Sequence, residues 1–326
     1  MNEKKSQVSG RLLYEEQLVS EMEETEEKLK KIYNIAPVSV KIIIDIDEEL
    51  ENVYSDFQKI RILRNESFGK ILFLDHELQF SELDEFVYHE MFSFPALFSH
   101  KDPKRVLIIG GGDLLLAKQI LKYPAIQTVD LVELDGKVVE ICKKHFVSIN
   151  ETSKNPKLNI FIEDGRTFVE NCQQKYDLIF LDLPDDKKNC EPIFSEKFYN
   201  DVSENLENDG IIAIQMGVGG SFCHNEGKMR KINNFQMSNP SFKYISMLKK
   251  YFKYMHYYTQ YVPSFFASWS FLLGSRTVDF KNYNQEFSEQ KYQTLTRPTE
   301  YYTPQLHLSL LNQPKIIEEL QKGTHL

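Results

Sequence analysis

Four short apolar runs occur between residues 105 and 182, and helix-length segments separate them. The runs are Val106–Ile109, Thr128–Val132, Leu158–Ile162 and Tyr176–Leu181. Continuous apolar runs of this length are typical of strands covered on both faces, as in parallel sheets. The pattern predicts an α/β domain built on a doubly wound sheet.

A glycine turn follows the first of these strands. Gly110, Gly111 and Gly112 lead to Asp113 and then to a predicted helix that runs to Leu121. Glycines at such a turn let the backbone come close to a ligand at the start of the helix. The turn alone is weak evidence, but Glu133 ends the second strand about twenty residues later, where doubly wound folds place a carboxylate that binds ribose hydroxyls.

Two more strands also end in acids. Leu158–Ile162 runs into Glu163, Asp164 and Gly165, and Tyr176–Leu181 runs into Asp182. Ligands in open α/β sheets bind at the carboxyl ends of the strands, so we expect the four acids to converge on one crevice: Asp113, Glu133, Asp164 and Asp182. For each acid taken alone, a solvated loop or a helix N-cap is the alternative interpretation.

The N-terminal third has a different pattern. The sequence predicts disorder over residues 1–10, an amphipathic helix over Leu12–Tyr33, and a small antiparallel β domain with strands at Val40–Ile46, Lys59–Leu63 and Lys70–Leu74. A helix over Glu82–Phe98 and a linker at His100–Lys104 follow. The predicted domains are therefore residues 1–35, 36–99 and 100–326.

Beyond Asp182 the pattern is less regular. It predicts a helix over Ser195–Glu207, a strand at Ile211–Gln215, a loop and helix over Met216–Ser241, and a helix over Lys243–Tyr251. Tyr254–Tyr261 and Ser268–Gly274 are predicted to be the last two strands of the sheet.

Composition narrows the class of partner. The 326-residue chain is 41% hydrophobic and 27% charged, with a net charge of −9. This balance is typical of a globular protein, disfavours nucleic acid as a partner and suits a small cationic substrate. The four cysteines show no zinc-like spacing, and no signal-peptide or membrane-spanning run is present. We therefore expect a cytoplasmic protein with reduced thiols.

Several motifs together resemble one enzyme family, the polyamine aminopropyltransferases, which include spermidine, spermine and thermospermine synthases. The segment LQFSELDEFVYHEM at Leu78–Met91 carries the resemblance, with PKRVLIIGGGD, VELD, EDG, DLPDD and GIIAIQ after it. PSFFASWSF at Pro263–Phe271 most resembles the thermospermine type. The resemblance implies a Rossmann-like, class I methyltransferase-type sheet behind the small N-terminal β domain.

The resemblance also implies a reaction. The aminopropyl group of decarboxylated S-adenosylmethionine would pass to a polyamine, either spermidine or putrescine, and methylthioadenosine would be released. An alkylammonium has a pKa near that of lysine, about 10.4, so a base must first remove its proton. By resemblance Asp182 is that general base, and Tyr88 and Asp185 help to hold the amine.

Further site residues follow from the same resemblance. The donor-binding set is Gln58, His89, Asp113, Glu133, Asp164 and Gly165, and the acceptor-binding set is Gln79, Tyr88, Asp185 and Gln215. No metal and no permanently bound cofactor are expected, because a sulfonium is already a good leaving group. The family suggests a homodimer or homotetramer, with neither nucleic acid nor membrane as a partner.

Some positions depart from the family pattern. Leu114, Leu115 and Leu116 follow GGGD, where the family continues with small residues, and Asp186 replaces a proline. Leucines at this turn would crowd the nucleoside unless the loop is rearranged. Two alternatives therefore stay open: a catalytically silent homologue that acts as a binding or regulatory partner, and a methyltransferase with the same sheet. Asp113 disfavours the methyltransferase, whose donor carries a carboxylate.

Overall fold

The computed structural model describes residues 44–183, 195–218, 231–232, 235–236, 245 and 247–312. The chain divides into two compact units. Residues 1–84 and 221–238 form the first, and residues 85–220 and 239–326 form the second. The predicted domain boundary near residue 100 stays a prediction. In the described ranges no helix combines the length and apolar character needed to cross a membrane.

The first unit contains a four-stranded antiparallel meander. Its strands are β1 (Glu48–Tyr54), β2 (Lys59–Asn65), β3 (Gly69–Leu74) and β4 (Glu77–Ser81), and they lie in sequence order. Ile60, Ile62, Ile71 and Leu72 are buried on the inner strands. A short hairpin of β10 (Lys231–Ile232) and β11 (Phe235–Gln236) belongs to the same unit.

The first strand of this meander differs from the prediction. Residues 44–46 of the predicted strand Val40–Ile46 are not in a strand, and residues 40–43 lie outside the described residues. The first strand of the described residues is Glu48–Tyr54, which lies at the edge of the described sheet and pairs with β2. The hydrophobic pattern did not predict β1 because its sequence is mostly polar, and an edge strand with one solvated face needs few apolar residues. The predicted helix over Leu12–Tyr33 also lies outside the described residues.

The second unit begins with α1 (Glu85–Ser99), which is buried over nearly its whole length from Val87 to Phe98. The strands and helices of its parallel part follow in alternation: β5 (Arg105–Gly110), α2 (Leu115–Ile120), β6 (Thr128–Glu133), α3 (Gly136–His145), α4 (Val147–Thr152), β7 (Leu158–Ile162), α5 (Gly165–Asn171) and β8 (Tyr176–Asp182). The four apolar runs are therefore strands, as predicted.

The rest of the second unit completes the sheet and adds two helices. Its elements are α6 (Glu196–Glu204), β9 (Leu206–Val218), β12 (Tyr254–Val262), β13 (Ala267–Ser275), α7 (Gln285–Tyr292) and α8 (Pro304–Leu310). The predicted final strand pair, β12 and β13, is present. The strand predicted at Ile211–Gln215 starts earlier, at Leu206, and Asp209 and Gly210 lie inside it rather than in a turn.

Strand order identifies where a ligand should bind. The seven strands lie in the order β12, β13, β9, β8, β5, β6, β7. Strands β5 to β9 are parallel to one another, whereas β13 pairs antiparallel with β9 and β12 pairs antiparallel with β13. The chain leaves β5 toward β6 on one side and returns to β8 on the other. This reversal is the topological switch point, and in doubly wound sheets ligands bind there, beyond the carboxyl ends of the strands. The predicted Rossmann-like fold class is confirmed.

Candidate active site

The centre of the candidate site is Asp182, the last residue of β8. The Tyr88 hydroxyl, from α1, donates a hydrogen bond of 2.8 Å to Asp182 Oδ1. Tyr88 is 8% exposed and its ring lies edge-on to Phe271, with the centroids 5.3 Å apart. Packing therefore fixes the tyrosine, which holds one oxygen of the carboxylate and leaves the other oxygen for a further partner.

Burial makes Asp182 a stronger base than an exposed aspartate. Loss of solvent and repulsion from Asp113 raise the pKa of Asp182 to about 6, although His89 and the Tyr88 hydroxyl oppose the rise. Burial also raises the pKa of Asp113. Two carboxylates in one poorly solvated place disfavour each other's charge. An arrangement of this kind is suited to receiving a cation.

Asp113 lies at the start of the helix that follows the glycine turn. Its Oδ1 accepts a hydrogen bond of 2.8 Å from the Leu115 backbone N–H and lies 3.8 Å from His89 Nε2. The side chain of Asp113 is 14% exposed and that of His89 only 2%. The two predicted donor-binding residues are thus brought together, and Asp113 keeps some access to solvent.

Two residues that the sequence did not single out support His89. The Glu85 carboxylate lies 3.3 Å from His89 Nδ1 and 2.6 Å from Lys118 Nζ. Burial alone would lower the pKa of His89, but Glu85, Asp113 and Asp182 together raise it to about 9. The spacing from Glu85 to His89 is one helical turn, which is the only sequence signal for this pair. Lys118 is 33 residues away from Glu85 in the chain.

Glu133 is held at the end of β6 by the neighbouring backbone. Its Oε2 accepts a hydrogen bond from Gly112 N (3.1 Å) and its Oε1 accepts one from Asp135 N (2.8 Å). Burial, together with repulsion from Asp135 and Asp113, raises the pKa of Glu133 to about 7 despite these bonds. The carboxylate is therefore fixed in direction, and its remaining lone pairs are open to hydroxyl donors.

Two exposed apolar side chains lie at strand ends on this side of the sheet: Leu134 directly follows β6, and Ile162 is the last residue of β7. Leu134 is 44% exposed and Ile162 is 53% exposed. Sequence reasoning missed both, because apolar residues at strand ends are usually part of the core. Exposed apolar groups beside fixed polar groups are typical of a ligand surface, here one suited to a flat ring.

The glycines of the turn are required by close contacts. Gly110 has a φ of +85°, and a Cβ there would lie 2.0 Å from the Asp182 carbonyl oxygen. A Cβ at Gly112 would lie 2.7 Å from Glu133 Cγ. Neither distance leaves room for a side chain. The glycines therefore let the β5 turn approach both neighbouring strand ends.

The three leucines that follow the turn do not enter open space. Leu114, Leu115 and Leu116 are 0%, 2% and 0% exposed. Leu114 has a left-handed backbone with a φ of 64°, a conformation that costs a leucine on the order of 1 kcal/mol or more. With this backbone at Leu114 the three leucine side chains pack into the core, and they do not line the crevice.

Asp164 and Gly165 lie at the end of β7, at the edge of the sheet. The Asp164 carboxylate accepts a hydrogen bond from Arg166 N (2.8 Å) as the N-cap of α5, and it also pairs with the Arg166 guanidinium. The hydrogen bond from the Arg166 side chain lowers the pKa of Asp164. A Cβ at Gly165 would lie 2.4 Å from Ile109 Cγ2. The donor-binding role of both residues stays a prediction.

Gln215 joins β9 to the aromatic segment that follows β12. Its amide nitrogen donates to the Leu183 carbonyl, and its Oε1 accepts hydrogen bonds from Trp269 Nε1 (3.0 Å) and Gly217 N (2.8 Å). The ring centroid of Tyr88 lies 6.4 Å from that of Trp269 and 6.0 Å from that of Phe265. Phe265 and Trp269 are further residues that the sequence did not single out individually.

The roles of three further predicted site residues, Gln58, Gln79 and Asp185, stay predictions. Gln58 and Gln79 belong to the first unit, where the Gln79 side chain donates to the Glu77 carbonyl and Gln58 closes a turn with Ser55. Asp185 lies outside the described residues. Within the described part of the chain no three His, Cys, Asp or Glu side chains form a metal site, and the expectation of a metal-free reaction stays a prediction.

Comparison with known proteins identifies the family. Residues 85–282 match the spermine/spermidine synthase domain, and residues 33–82 match the spermidine synthase tetramerisation domain. A polyamine aminopropyltransferase of Methanocaldococcus jannaschii is 34% identical over 289 residues, which are 87% of this chain and 92% of that protein. One from Agathobacter rectalis is 32% identical and covers 87% and 94% of the two chains.

Solved structures show the same fold. Spermidine synthase from Thermotoga maritima superposes with a TM-score of 0.73 at 24% identity, over 87% of this chain and 91% of that one. A spermidine synthase in complex with the transition-state analogue AdoDATO gives the same score and identity, over 87% and 92%. The domain match over residues 85–282 and the relatives at 34% and 32% identity show that the chain belongs to the spermine/spermidine synthase family. Its activity is that of a polyamine aminopropyltransferase.

Proposed function

We propose that this protein transfers the aminopropyl group of decarboxylated S-adenosylmethionine to an amine of spermidine or putrescine, with Asp182 as the general base. The observation that carries the proposal is the Asp182 carboxylate itself. It is partly buried at the switch point of the sheet, is held by Tyr88, and has a pKa raised to about 6. A base with a pKa near neutrality is best matched to proton transfer at physiological pH.

The chemical step is a direct displacement. Asp182 takes a proton from the acceptor ammonium, the freed amine nitrogen attacks the carbon next to the sulfonium, and a C–N bond forms as the C–S bond breaks. The electron pair of the broken bond goes to sulfur, which leaves as methylthioadenosine, and the proton stays on Asp182. Tyr88 holds Asp182 Oδ1, which leaves Oδ2 to face the amine.

The donor would be held by the two strand ends beside the glycine turn. Glu133, oriented by two backbone N–H groups, accepts hydrogen bonds from the ribose hydroxyls. Asp113 pairs with the aminopropyl ammonium, and a carboxylate there disfavours S-adenosylmethionine, whose extra carboxylate it would repel. Asp164 and Gly165 would serve the adenine side, together with Leu134 and Ile162, and Gln58 would contact the nucleoside.

His89 belongs to the donor site through Asp113. As an imidazolium, the ring only donates hydrogen bonds, so it cannot accept one from the aminopropyl ammonium. Its Nε2 lies 3.8 Å from Asp113 Oδ1. We therefore assign His89 the role of holding the Asp113 carboxylate that binds the ammonium.

The acceptor would lie against aromatic rings. Phe265 and Trp269 belong to the segment that resembles thermospermine synthases, and both rings contact Tyr88. Alkylammonium chains bind well against aromatic faces, which favours spermidine as the acceptor and thermospermine or spermine as the product. Gln79, Asp185 and Gln215 complete the proposed acceptor set, and putrescine is the second candidate acceptor.

We also propose an assembly and a location for the protein. The match of residues 33–82 to a tetramerisation domain supports a homodimer or homotetramer. A net charge of −9 is compatible with a protein of the cytoplasm.

Product analysis tests the proposal. The purified protein is incubated with decarboxylated S-adenosylmethionine and equal amounts of putrescine, spermidine and spermine, and the products are identified by mass spectrometry. We expect methylthioadenosine and one longer polyamine, and both should form far more slowly with Asp182→Asn. S-adenosylmethionine in place of the decarboxylated donor should give no transfer.

The contrary outcomes are equally definite. If the wild-type protein forms no product and calorimetry detects no nucleoside binding, the chain is a silent homologue. If Asp182→Asn turns over at the wild-type rate, Asp182 is not the base. Formation of a methylated amine from S-adenosylmethionine would make the protein a methyltransferase.

A further inference from the structure

Glu85 connects the surface of the second unit to the candidate base through a row of alternating charges. It lies in the first turn of α1, and its side chain is 11% exposed. One carboxylate oxygen is 2.6 Å from Lys118 Nζ on α2, and the other is 3.3 Å from His89 Nδ1. The row runs from Lys118 through Glu85 and His89 to Asp113.

The geometry fixes which nitrogen of His89 carries a proton. Nδ1 lies 2.6 Å from the backbone carbonyl oxygen of Glu85, which can only accept, so Nδ1 must donate. Nε2 faces the Asp113 carboxylate at 3.8 Å, where a positive ring is favoured. With acids at both ring nitrogens, the doubly protonated form is the one that this environment stabilises.

We infer that Glu85 is a positioning residue that, supported by Lys118, holds His89 as an imidazolium beside Asp113 and Asp182 and so keeps those two carboxylates ionised before a cationic substrate binds. The inference rests on the proposed role of Asp182 as the base. Glu85 itself is not a catalytic residue, because it acts through His89.

The charges around His89 support this role. Glu85 faces the ring from α1, Asp113 from the turn after β5, and Asp182 from the end of β8, and these carboxylates raise the pKa of His89 to about 9 against the effect of burial. Lys118, from α2, faces Glu85 rather than the ring. In return, His89 and Lys118 bring the pKa of Glu85 down to about 2, although burial alone would raise it.

The same helix supplies a matched control. Glu90, one residue after His89, is 0% exposed, and its carboxylate accepts hydrogen bonds from Lys122 Nζ and from the backbone N–H groups of three later residues: Glu300, Tyr301 and Tyr302. Glu90 is therefore a buried acid of α1 that anchors the C-terminal segment. Glu90→Gln should weaken the fold without changing the charge of His89.

The first test measures the protonation of His89 directly. The imidazole signals of wild-type His89, assigned by NMR with Glu85→Gln as the comparison, should titrate with a midpoint near the expected value of about 9. In Glu85→Gln we expect this midpoint to fall toward 6.5 or below, because the hydrogen bond that most raises the pKa of His89 is lost while burial still lowers it. Glu90→Gln should leave it unchanged and lower the thermal midpoint.

The second test is kinetic. The acid limb of kcat/KM for the acceptor should move to higher pH in Glu85→Gln, so that the rate at pH 6 relative to pH 8 falls about threefold or more. Glu85→Asp, which keeps the charge, should restore part of the wild-type limb. Glu90→Gln should keep the wild-type pH dependence of kcat/KM, even if its rate is lower at every pH.

Two results would overturn the inference. Wild-type His89 could titrate near 6.5, the usual value for histidine, or Glu85→Gln could lose the same fraction of its rate at every pH, as a structural variant would. Asp182→Asn, assayed in parallel, separates the two proposals. If that variant stays active, the assignment of the base fails, whereas the NMR titration still decides the state of His89.

Discussion

The ends of β8 and β7 carry the same sequence pattern, an apolar strand followed by an acid, yet their electrostatics are opposite. Asp182, at the end of β8, lies at the switch point near Asp113, and burial raises its pKa to about 6. Asp164, at the end of β7 on the sheet edge, caps α5 and pairs with Arg166, and its pKa is lowered. Position in the sheet, rather than the local pattern, decides which acid can act as a base.

The difference has a physical cause. A carboxylate becomes a useful base when it loses solvent without gaining a permanent cation of its own. Arg166 gives Asp164 such a cation two residues away in the chain. Asp182 shares its surroundings with His89 and another acid, so its charge is only partly offset until a substrate cation arrives.

The largest expected effect is that of removing the base. Asp182→Asn should lower kcat by about 10²- to 10⁴-fold, the usual contribution of general-base catalysis. Asp177→Asn is the matched control, because Asp177 lies on the same strand and its carboxylate accepts hydrogen bonds from Lys104 N and Arg105 N. Steady-state kinetics on both variants should show a loss of turnover in the first and only a loss of stability in the second. If both variants lost the same fraction of turnover, Asp182 at the end of β8 would not differ from Asp177 near its start, and its role as the base would fail.

Glu133, at the end of β6, tests whether a strand-end carboxylate binds the donor nucleoside. Glu133→Gln should weaken methylthioadenosine binding by about 10- to 100-fold, since hydrogen bonds to a charged acceptor contribute about 1.5–3 kcal/mol. Because the pKa of Glu133 is raised to about 7, wild-type affinity should fall as the pH drops below that value and the carboxylate is protonated. Calorimetry at pH 6 and pH 8 measures both effects. Affinity that is independent of pH would show that the nucleoside does not need the ionised carboxylate.

Tyr88→Phe should have a smaller effect of a different kind. The tyrosine hydroxyl lowers the pKa of Asp182 by donating to it, so its removal should move the acid limb of kcat/KM to higher pH. We expect a loss of about tenfold at pH 6 that becomes smaller at pH 8, measured from the pH profile of both proteins. Phe92→Leu, a change to a neighbouring ring that contacts Tyr88, serves as the control for packing. A loss in Tyr88→Phe that is the same at each pH would point to packing instead.

Asp164→Asn should have the smallest effect. Asparagine is also a good N-cap, and the ion pair with Arg166 is partly exposed, so stability should change by less than about 1 kcal/mol. Any functional change should appear in the KM for the donor rather than in kcat. Thermal unfolding and donor titration check these points, and a large loss of kcat would show that the edge of the sheet contributes to catalysis after all.

The sequence predicted the parallel part of the sheet well because each of its strands is an uninterrupted apolar run. It missed β1, whose sequence Glu48–Tyr54 is mostly polar, and it placed the start of β9 five residues late, because Asp209 and Gly210 resemble a turn. Both errors arise where a strand is held by its neighbour rather than by burial of its own side chains.

The site shows a similar limit. Acids at strand ends were found from the pattern, whereas Tyr88 and His89 required the family resemblance. The contacts that set the protonation of the site, such as Lys118 with Glu85 and Trp269 with Gln215, join residues 33 and 54 positions apart. No local pattern marks pairs of this kind. The burial of Leu114 could not be predicted either, because it depends on a left-handed backbone that is unusual for leucine.

The most direct test of the central claim is the pH dependence of kcat/KM for the acceptor at saturating donor, measured on the wild-type protein between pH 5 and pH 9. With the pKa of Asp182 raised to about 6, activity should be constant above pH 7 and fall toward tenfold per unit below pH 6 as the base is protonated. An acid limb centred near 4, the value for an ordinary aspartate, or no limb at all, would contradict the account.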